Sequence, residues 1–442
     1  MRMTGFDVRP LALLAALAAV TPACGSHSPK AANLSPEEAG GQAASPDAGP
    51  PGAAGASAVA GLPDTAGGGT GDAHAPVDVK CEGDLSLPAN APALKVDEWV
   101  AVNPVGFPFD PDTSTLGVAL HPCKPGVIYL CTGSYDTSIG GLYRSDDAGA
   151  SWSRVGAVPP DWSGADHLQA PLHVRIDPAD PEHLYVAQGV RGRVGFWESM
   201  DGGRNLTEPA GFTALNATKE LTAEDVYDIA VDPTNFAHVL LVFHSAWGWT
   251  DTKWNTNSGV LETTDAGTTW IVHEPMPTWG TGHTIAFLFN DELGIGDPDT
   301  WLLSTQGDGR WRTEDAGKTW QKVTDTGIQH GGGTVYYDKQ NEYLYASGSP
   351  SNQRSKDNGA TWENIGDSGG YNAIFGDGER LYTAPVFGPT FLVSPESDGV
   401  TWTPFTASQT FAQGPFDWAF DAHNRIVYAS NWRAGLWALK LP

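Results

Sequence analysis

One short acidic pattern recurs along this chain and limits its fold more than any other feature. "SDDAGASW" at Ser145 returns as "SMDGGRNL" at Ser199, "TTDAGTTW" at Thr263, "TEDAGKTW" at Thr313 and "SKDNGATW" at Ser355. A looser copy, "SPESDGVTW", begins at Ser394. The shared form is Ser/Thr-x-Asp-x-Gly-x-x-Trp, and self-similarity of this kind marks a repeat architecture. Asp in a tight turn accepts backbone N–H bonds, and Ser or Thr does so more weakly. Gly supplies a positive φ without a Cβ clash. Each copy follows a short apolar run such as "GGLYR", "VGFWE", "SGVLE" or "GRWR". The pattern therefore predicts a hairpin turn between the third and fourth strands of a small sheet. Five near-identical copies are not five active sites, so Asp147, Asp201, Asp265, Asp315 and Asp357 are read as structural.

A second repeat precedes each turn, running apolar strand, acidic or proline turn, apolar strand. It is seen in "GVALHPCKPGVIYLCTG", "HVRIDPADPEHLYVAQG", "DIAVDPTNFAHVLLVFH", "TIAFLFNDELGIGDPDTWLLSTQG", "TVYYDKQNEYLYASG", "NAIFGDGERLYTAP" and "DWAFDAHNRIVYAS". These are first and second strands. The seventh unit ends "GLWALKLP" and has no fourth strand, while "DEWVAV" at Asp97 is an orphan strand near the start. Pairing the two closes a ring and removes its open sheet edges.

The recurring motif resembles the Asp box (BNR repeat) of β-propellers, a superfamily that includes sialidases, xyloglucanase-type glycosidases, sortilin-like receptors and a photosystem assembly factor. The expected fold is all-β: one seven-bladed propeller of four-stranded antiparallel blades, about 50 residues each, closed by an N-terminal strand. Its boundaries are residues 79–442, which hold all 17 Trp.

Upstream, residues 1–24 read as a signal peptide. Arg2 and Arg9 precede "LALLAALAAV", an apolar run too short to span a bilayer comfortably. "TPAC" resembles a bacterial lipoprotein signal, which implies lipidation at Cys24; plain secretion is the alternative. Residues 25–78 are rich in Ala, Gly, Pro and Ser and cannot bury enough apolar surface to order themselves, so a flexible linker is expected. The expected location is outside the cytoplasm, at the cell envelope or surface. Of the remaining cysteines, Cys81 and Cys123 are the favoured disulfide pair, because Cys131 sits in the apolar strand "VIYLCTG". The net charge of −27 repels nucleic acid and anionic lipid. The partners left are a glycan or an extracellular protein, with membrane contact only through the lipid anchor. A monomer is expected, with no cofactor and no metal.

Propellers commonly bind ligands on the face opposite such turns, around the channel mouth. The blade-three insert "FHSAWGWTDTKWNTNSG" places Trp247, Trp249 and Trp254 there, followed by Trp279 and His283; Arg310 and Trp432 come from later blades. Aromatic faces stack on sugar rings, so these seven residues are the candidate ligand contacts, with packing of the long loop as the bland alternative. A glycoside hydrolase would need two carboxyls roughly 5–9.5 Å apart. "YDTSIGGLYRS" is similar to an early segment of xyloglucanase-type glycosidases, in which an aspartate before a Gly-Gly-aromatic-Tyr-Arg run is catalytic. That resemblance implies Asp136 as one carboxyl, with Asp166 as a candidate second. Those enzymes work in a cleft between two propellers, and this chain has length for one. The sialidase Phe/Tyr-Arg-Ile-Pro segment is absent; "VRIDP" at Val174 only echoes it. Glycan binding is thus the leading expectation, with glycoside hydrolysis and a non-catalytic protein scaffold as the alternatives.

Overall fold

The computed structural model describes residues 69–70, 81–107, 113–134, 139–159, 166–189, 195–217, 225–247, 257–290, 295–328, 335–366, 372–385, 390–405 and 413–442. All belong to one compact unit, Pro63–Pro442. Cys24 lies outside the described residues.

The protein is a seven-bladed β-propeller. Its seven innermost strands are Thr113–Leu120, Pro171–Ile176, Val226–Asp232, Gly282–Asn290, Val335–Asp338, Asn372–Gly376 and Pro415–Asp421. Each begins an antiparallel meander that runs outward from the channel. Closure is as the sequence implies. Trp99–Ala101 is the outer strand of blade seven, with Trp99 opposite Leu439 and Ala101 opposite Trp437. Trp99 is buried there against Phe391 of blade six, ring centroids 5.3 Å apart. At the other edge of the same sheet, Gly69–Thr70 adds an antiparallel strand against the innermost one, Thr70 opposite Ala419. The Cys81–Cys123 disulfide ties the segment before blade one to that blade, and Cys131 is a buried free thiol.

The five close copies of the acidic turn share one set of Ser/Thr–Asp–Gly hydrogen bonds. In the fourth copy, Thr313 Oγ1 donates to Asp315 Oδ1 at 2.8 Å and accepts from Gly317 N at 3.0 Å. Thr319 donates its N–H to Oδ1 and its hydroxyl to Oδ2 of the same aspartate, at 2.8 and 2.7 Å. Trp320 Nε1–H then caps the Gly317 carbonyl at 3.0 Å. The chain reverses because Ala316 and Gly317 both sit in the left-handed region, at φ 52° and 71°.

Blade two departs from four strands. Its sheet has three, and the outer strand is reduced to one bridge, Glu198 with Thr207. Its turn has Leu206 where the others have Trp, and Pro209 follows. Proline donates no ladder bond and is tolerated at a helix start. The chain accordingly leaves the sheet and forms the helix Ala210–Ala217, which buries Phe212 against Phe196 and Trp270.

Candidate functional site

Strand direction assigns two faces. The acidic turns and the loops between first and second strands lie on one, here termed the turn face. The loops between second and third strands, and between blades, lie on the other, the loop face. The innermost strands start at the loop face, and in five blades they break register close to that start. The breaks fall at Thr115/Val118, Pro171/His173, Val226/Asp228, Gly282/Thr284 and Pro415/Asp417. A register break re-aims side chains, and here it accompanies two buried layers on the inner strands.

The layer nearer the loop face is apolar. Leu116, Leu172, Tyr227 and Phe416, from blades one, two, three and seven, are all buried in one cluster. Tyr227 and Phe416 meet at 6.4 Å between centroids, although their blades are not neighbours in the ring. The second layer is polar. His173 lies between two carboxylates, with Nε2 4.0 Å from Asp228 Oδ1 and Nδ1 3.9 Å from Asp417 Oδ2. Asp228 also accepts from Arg175 Nη2 at 3.0 Å and from Ile229 N and Ile285 N. Asp417 accepts from Trp418 N and Val118 N. The Asp228–Ile285 bond joins blades three and four, and Asp417–Val118 joins blades seven and one. These carboxylates stitch the inner ring together. Burial, with the Arg175 charge, holds His173 well below the usual imidazole range, so it stays neutral.

Beside this buried cluster stand half-exposed groups. Trp432 packs on Phe416, centroids 5.9 Å apart, and the Arg433 guanidinium lies 5.7 Å from the Trp432 centroid. On blade three, His244 Nδ1 is 3.2 Å from Asp225 Oδ2, and the imidazole packs on Tyr227 and His283, each 5.1 Å away.

The sequence-predicted residues divide accordingly. Trp432 is at the rim. Trp247 is fully buried, edge-on to Phe243 at 5.5 Å. A Cβ on Gly259 would meet the His273 carbonyl at 2.0 Å and the Trp247 indole at 2.9 Å, so the close approach of both needs glycine there. Trp279 is fully buried between Trp311 and Trp320, and His283 is buried against Tyr227 at 4.4 Å. Arg310 is buried too. It donates to Gln353 Oε1 and to the Ser347 and Thr326 carbonyls, and lies over Trp362. Burial lowers its pKa to about 9. These four side chains are buried against protein, each filling a seam between strands or blades. Trp249 and Trp254 lie outside the described residues, as does Asp136.

Asp166 is on the loop face and highly exposed, 3.0 Å from His167 Nδ1. The hydrogen bond from His167 keeps its carboxyl below the ordinary range. Such a group suits a base or an acceptor rather than a general acid. The carboxyl that burial pushes up, to about 8, is Glu396, and it lies among the acidic turns on the opposite face. Among the described residues, no group of three or more His, Cys, Asp or Glu is arranged to hold a metal ion.

No family model matches the chain. A xyloglucanase of Hypocrea jecorina is 27% identical over 237 residues, covering 47% of this chain and 26% of that protein. A Neosartorya fischeri protein named "Probable oligoxyloglucan-reducing end-specific xyloglucanase" is 24% identical over 240 residues, covering 53% and 26%. The matches thus span about a quarter of each relative's length. Among solved structures, the extracellular domain of a one component system from B. thetaiotaomicron superposes with a TM-score of 0.51 at 10% identity, covering 78% of this chain and 40% of that one. In sequence the chain is similar to xyloglucan-cleaving glycoside hydrolases, and in fold it is a propeller.

Proposed function

We propose that this chain is an exported propeller that binds a xyloglucan-type glycan on its loop face. The observation that carries the reading is the sequence similarity to two xyloglucanases. The rim is consistent with it. Trp432 offers a half-exposed indole, and His244 and Asp166 offer polar groups to sugar hydroxyls. The recurrent turns are proposed to be Asp boxes with a scaffold role. Export, with lipid at Cys24, is proposed from the leader; the Cys81–Cys123 disulfide fits an oxidising compartment.

Hydrolysis is the second reading, favoured by the same relatives. It requires a carboxyl pair, for which Asp136 and Asp166 are the candidates, and one member must be held protonated. The hydrogen bond from His167 favours the ionised form of Asp166, so in this reading Asp166 is the base or nucleophile and its partner the acid.

Affinity electrophoresis in gels cast with xyloglucan, beside an assay for released reducing ends, tests both readings. Retardation without release supports glycan binding. Release establishes the hydrolase. Neither retardation nor release would eliminate both carbohydrate readings and leave the protein scaffold.

A further inference from the structure

The ring closes where blade seven meets blade one, and the residues before the first blade lie across that seam. The closing strand Trp99–Ala101 pairs with blade seven over three residues. Just beyond it, Trp152 Nε1–H of blade one donates to the Val102 carbonyl at 2.9 Å. Residues 81–98 form a strap on the turn face that touches both blades. Cys81 is bonded to Cys123, in the turn-face loop of blade one. The Leu85 carbonyl accepts from Asn424 Nδ2 of blade seven at 3.1 Å. Pro88 returns to blade one, where a Cβ on Gly126 would meet its ring at 2.7 Å, and Asn90 Nδ2 donates to Asp147 Oδ2 at 3.0 Å. Leu87 and Leu94 pack on a buried cluster that joins Val118 and Ile128 of blade one to Ala419 and Tyr428 of blade seven. Asn424 also links the strap to the closing strand. Its carbonyl accepts from Lys440 Nζ, and the Lys440 carbonyl accepts from Asp97 N at 2.9 Å.

Without its covalent bond this strap is weakly held. Leu87, Pro88 and Leu94 are only half-buried, and most of the residues between them are exposed. So little apolar burial does not offset the entropy of ordering the segment. The disulfide joins residues 42 apart in sequence and keeps the strap in reach of the seam. Both cysteines are half-buried, so a thiolate in solution has access to the bond.

We propose that the Cys81–Cys123 disulfide is a redox-sensitive latch on ring closure. A dithiol reductant attacks one sulfur as its thiolate, passes through a mixed disulfide and leaves as its own disulfide. Cys81 and Cys123 take up the two electrons and two protons as thiols. The strap then leaves the turn face, and the outer part of the seam between blades seven and one loosens first. The inner part holds, because Thr115 Oγ1 still donates to the Asn431 carbonyl and Val118 N to Asp417.

The test is hydrogen–deuterium exchange read by mass spectrometry on the full chain, oxidised and after dithiothreitol, with thiols counted in denaturant. Cys81→Ser/Cys123→Ser is measured beside it. Reduction should lower the melting temperature by about 5 °C. It should speed exchange several-fold in residues 85–102 and in Gly435–Lys440, and leave Asn235–Phe243 and Ile295–Thr305 of blades three and four unchanged. The double variant should match the reduced parent and ignore dithiothreitol. Exchange that rises equally around the ring would make the disulfide a general brace and overturn the latch. Unchanged exchange in residues 85–102 after the bond is lost would overturn it too, as would a bond that dithiothreitol cannot reduce in the folded protein. The parent alone decides these outcomes if the variant fails to fold.

Discussion

Tyr336 of blade five donates its hydroxyl to Glu396 Oε1 of blade six at 2.8 Å, across a seam that buries both groups. Gly378 N adds a second bond to the same oxygen at 2.9 Å, while Oε2 has no hydrogen-bond partner. With the Asp338 and Asp377 carboxylates nearby, a neutral acid is the stable state. Burial raises the Glu396 pKa to about 8, against 4.5 for an exposed glutamate. The folded state therefore holds a proton that the unfolded chain releases, and stability falls as pH rises from 4.5 through 8. Glu396→Gln keeps an acceptor for both donors and cannot ionise. Its melting temperature should exceed the parent's at pH 8.5 and approach it at pH 5. Equal profiles would show that Glu396 does not titrate in this window.

A different titration acts at blade three. His238 is bracketed by Asp232 Oδ2 at 3.2 Å and Glu262 Oε1 at 3.0 Å, and His273 reaches Glu262 Oε2 at 2.8 Å. Burial alone would depress His238, but the bonds to two acceptors outweigh it and raise its pKa to about 9. Burial would likewise raise Glu262, yet its two histidine partners bring it to about 2. The histidine contribution is complete below pH 6.5 and lost as pH rises through 9. The glutamate contribution is complete above pH 4.5 and lost as pH falls through 2. Urea unfolding of His238→Gln at pH 6 should show a loss of roughly 2 kcal/mol that shrinks towards pH 9. A loss independent of pH would point to packing instead.

Asp315→Ala removes three side-chain hydrogen bonds from one turn. It should cost about 1–2 kcal/mol in denaturant unfolding and leave loop-face binding unchanged, because the turn lies on the opposite face. Lost affinity at full stability would place ligand on the turn face.

Two tryptophans should behave oppositely. Trp279→Ala opens a cavity against Trp311 and Trp320 and should cost about 3–5 kcal/mol. Trp432→Ala removes a half-exposed side chain, so most of its stability should survive while glycan affinity falls. Thermal melts beside binding isotherms separate the two; a destabilised Trp432→Ala with parental affinity would make Trp432 core as well.

The ring was legible in the sequence because its determinants are local and repeated. Strand alternation recurs in every blade and the acidic turn in six of the seven, and Trp99 stands where a turn tryptophan would begin a fourth strand. The site was less legible because its determinants are not local. Trp247 follows the strand end at Phe243 by four residues, in a stretch that reads as an exposed aromatic loop. It folds back into the core against Phe243, where Gly259, twelve residues on, leaves room for the indole. His173, Asp228 and Asp417 carry no motif, and only ring closure brings them together. The partial signal was periodic: "LHV", "YDI", "HTI" and "FDW" occupy equivalent positions at the register breaks, and aligning them would have exposed the channel layers.

The central claim, glycan recognition on the loop face, is tested most directly by isothermal titration of xyloglucan oligosaccharides into residues 63–442. Saturable binding that weakens in Trp432→Ala and persists in Asp315→Ala is the predicted result. Absence of any heat of binding from a protein that melts cooperatively would contradict it.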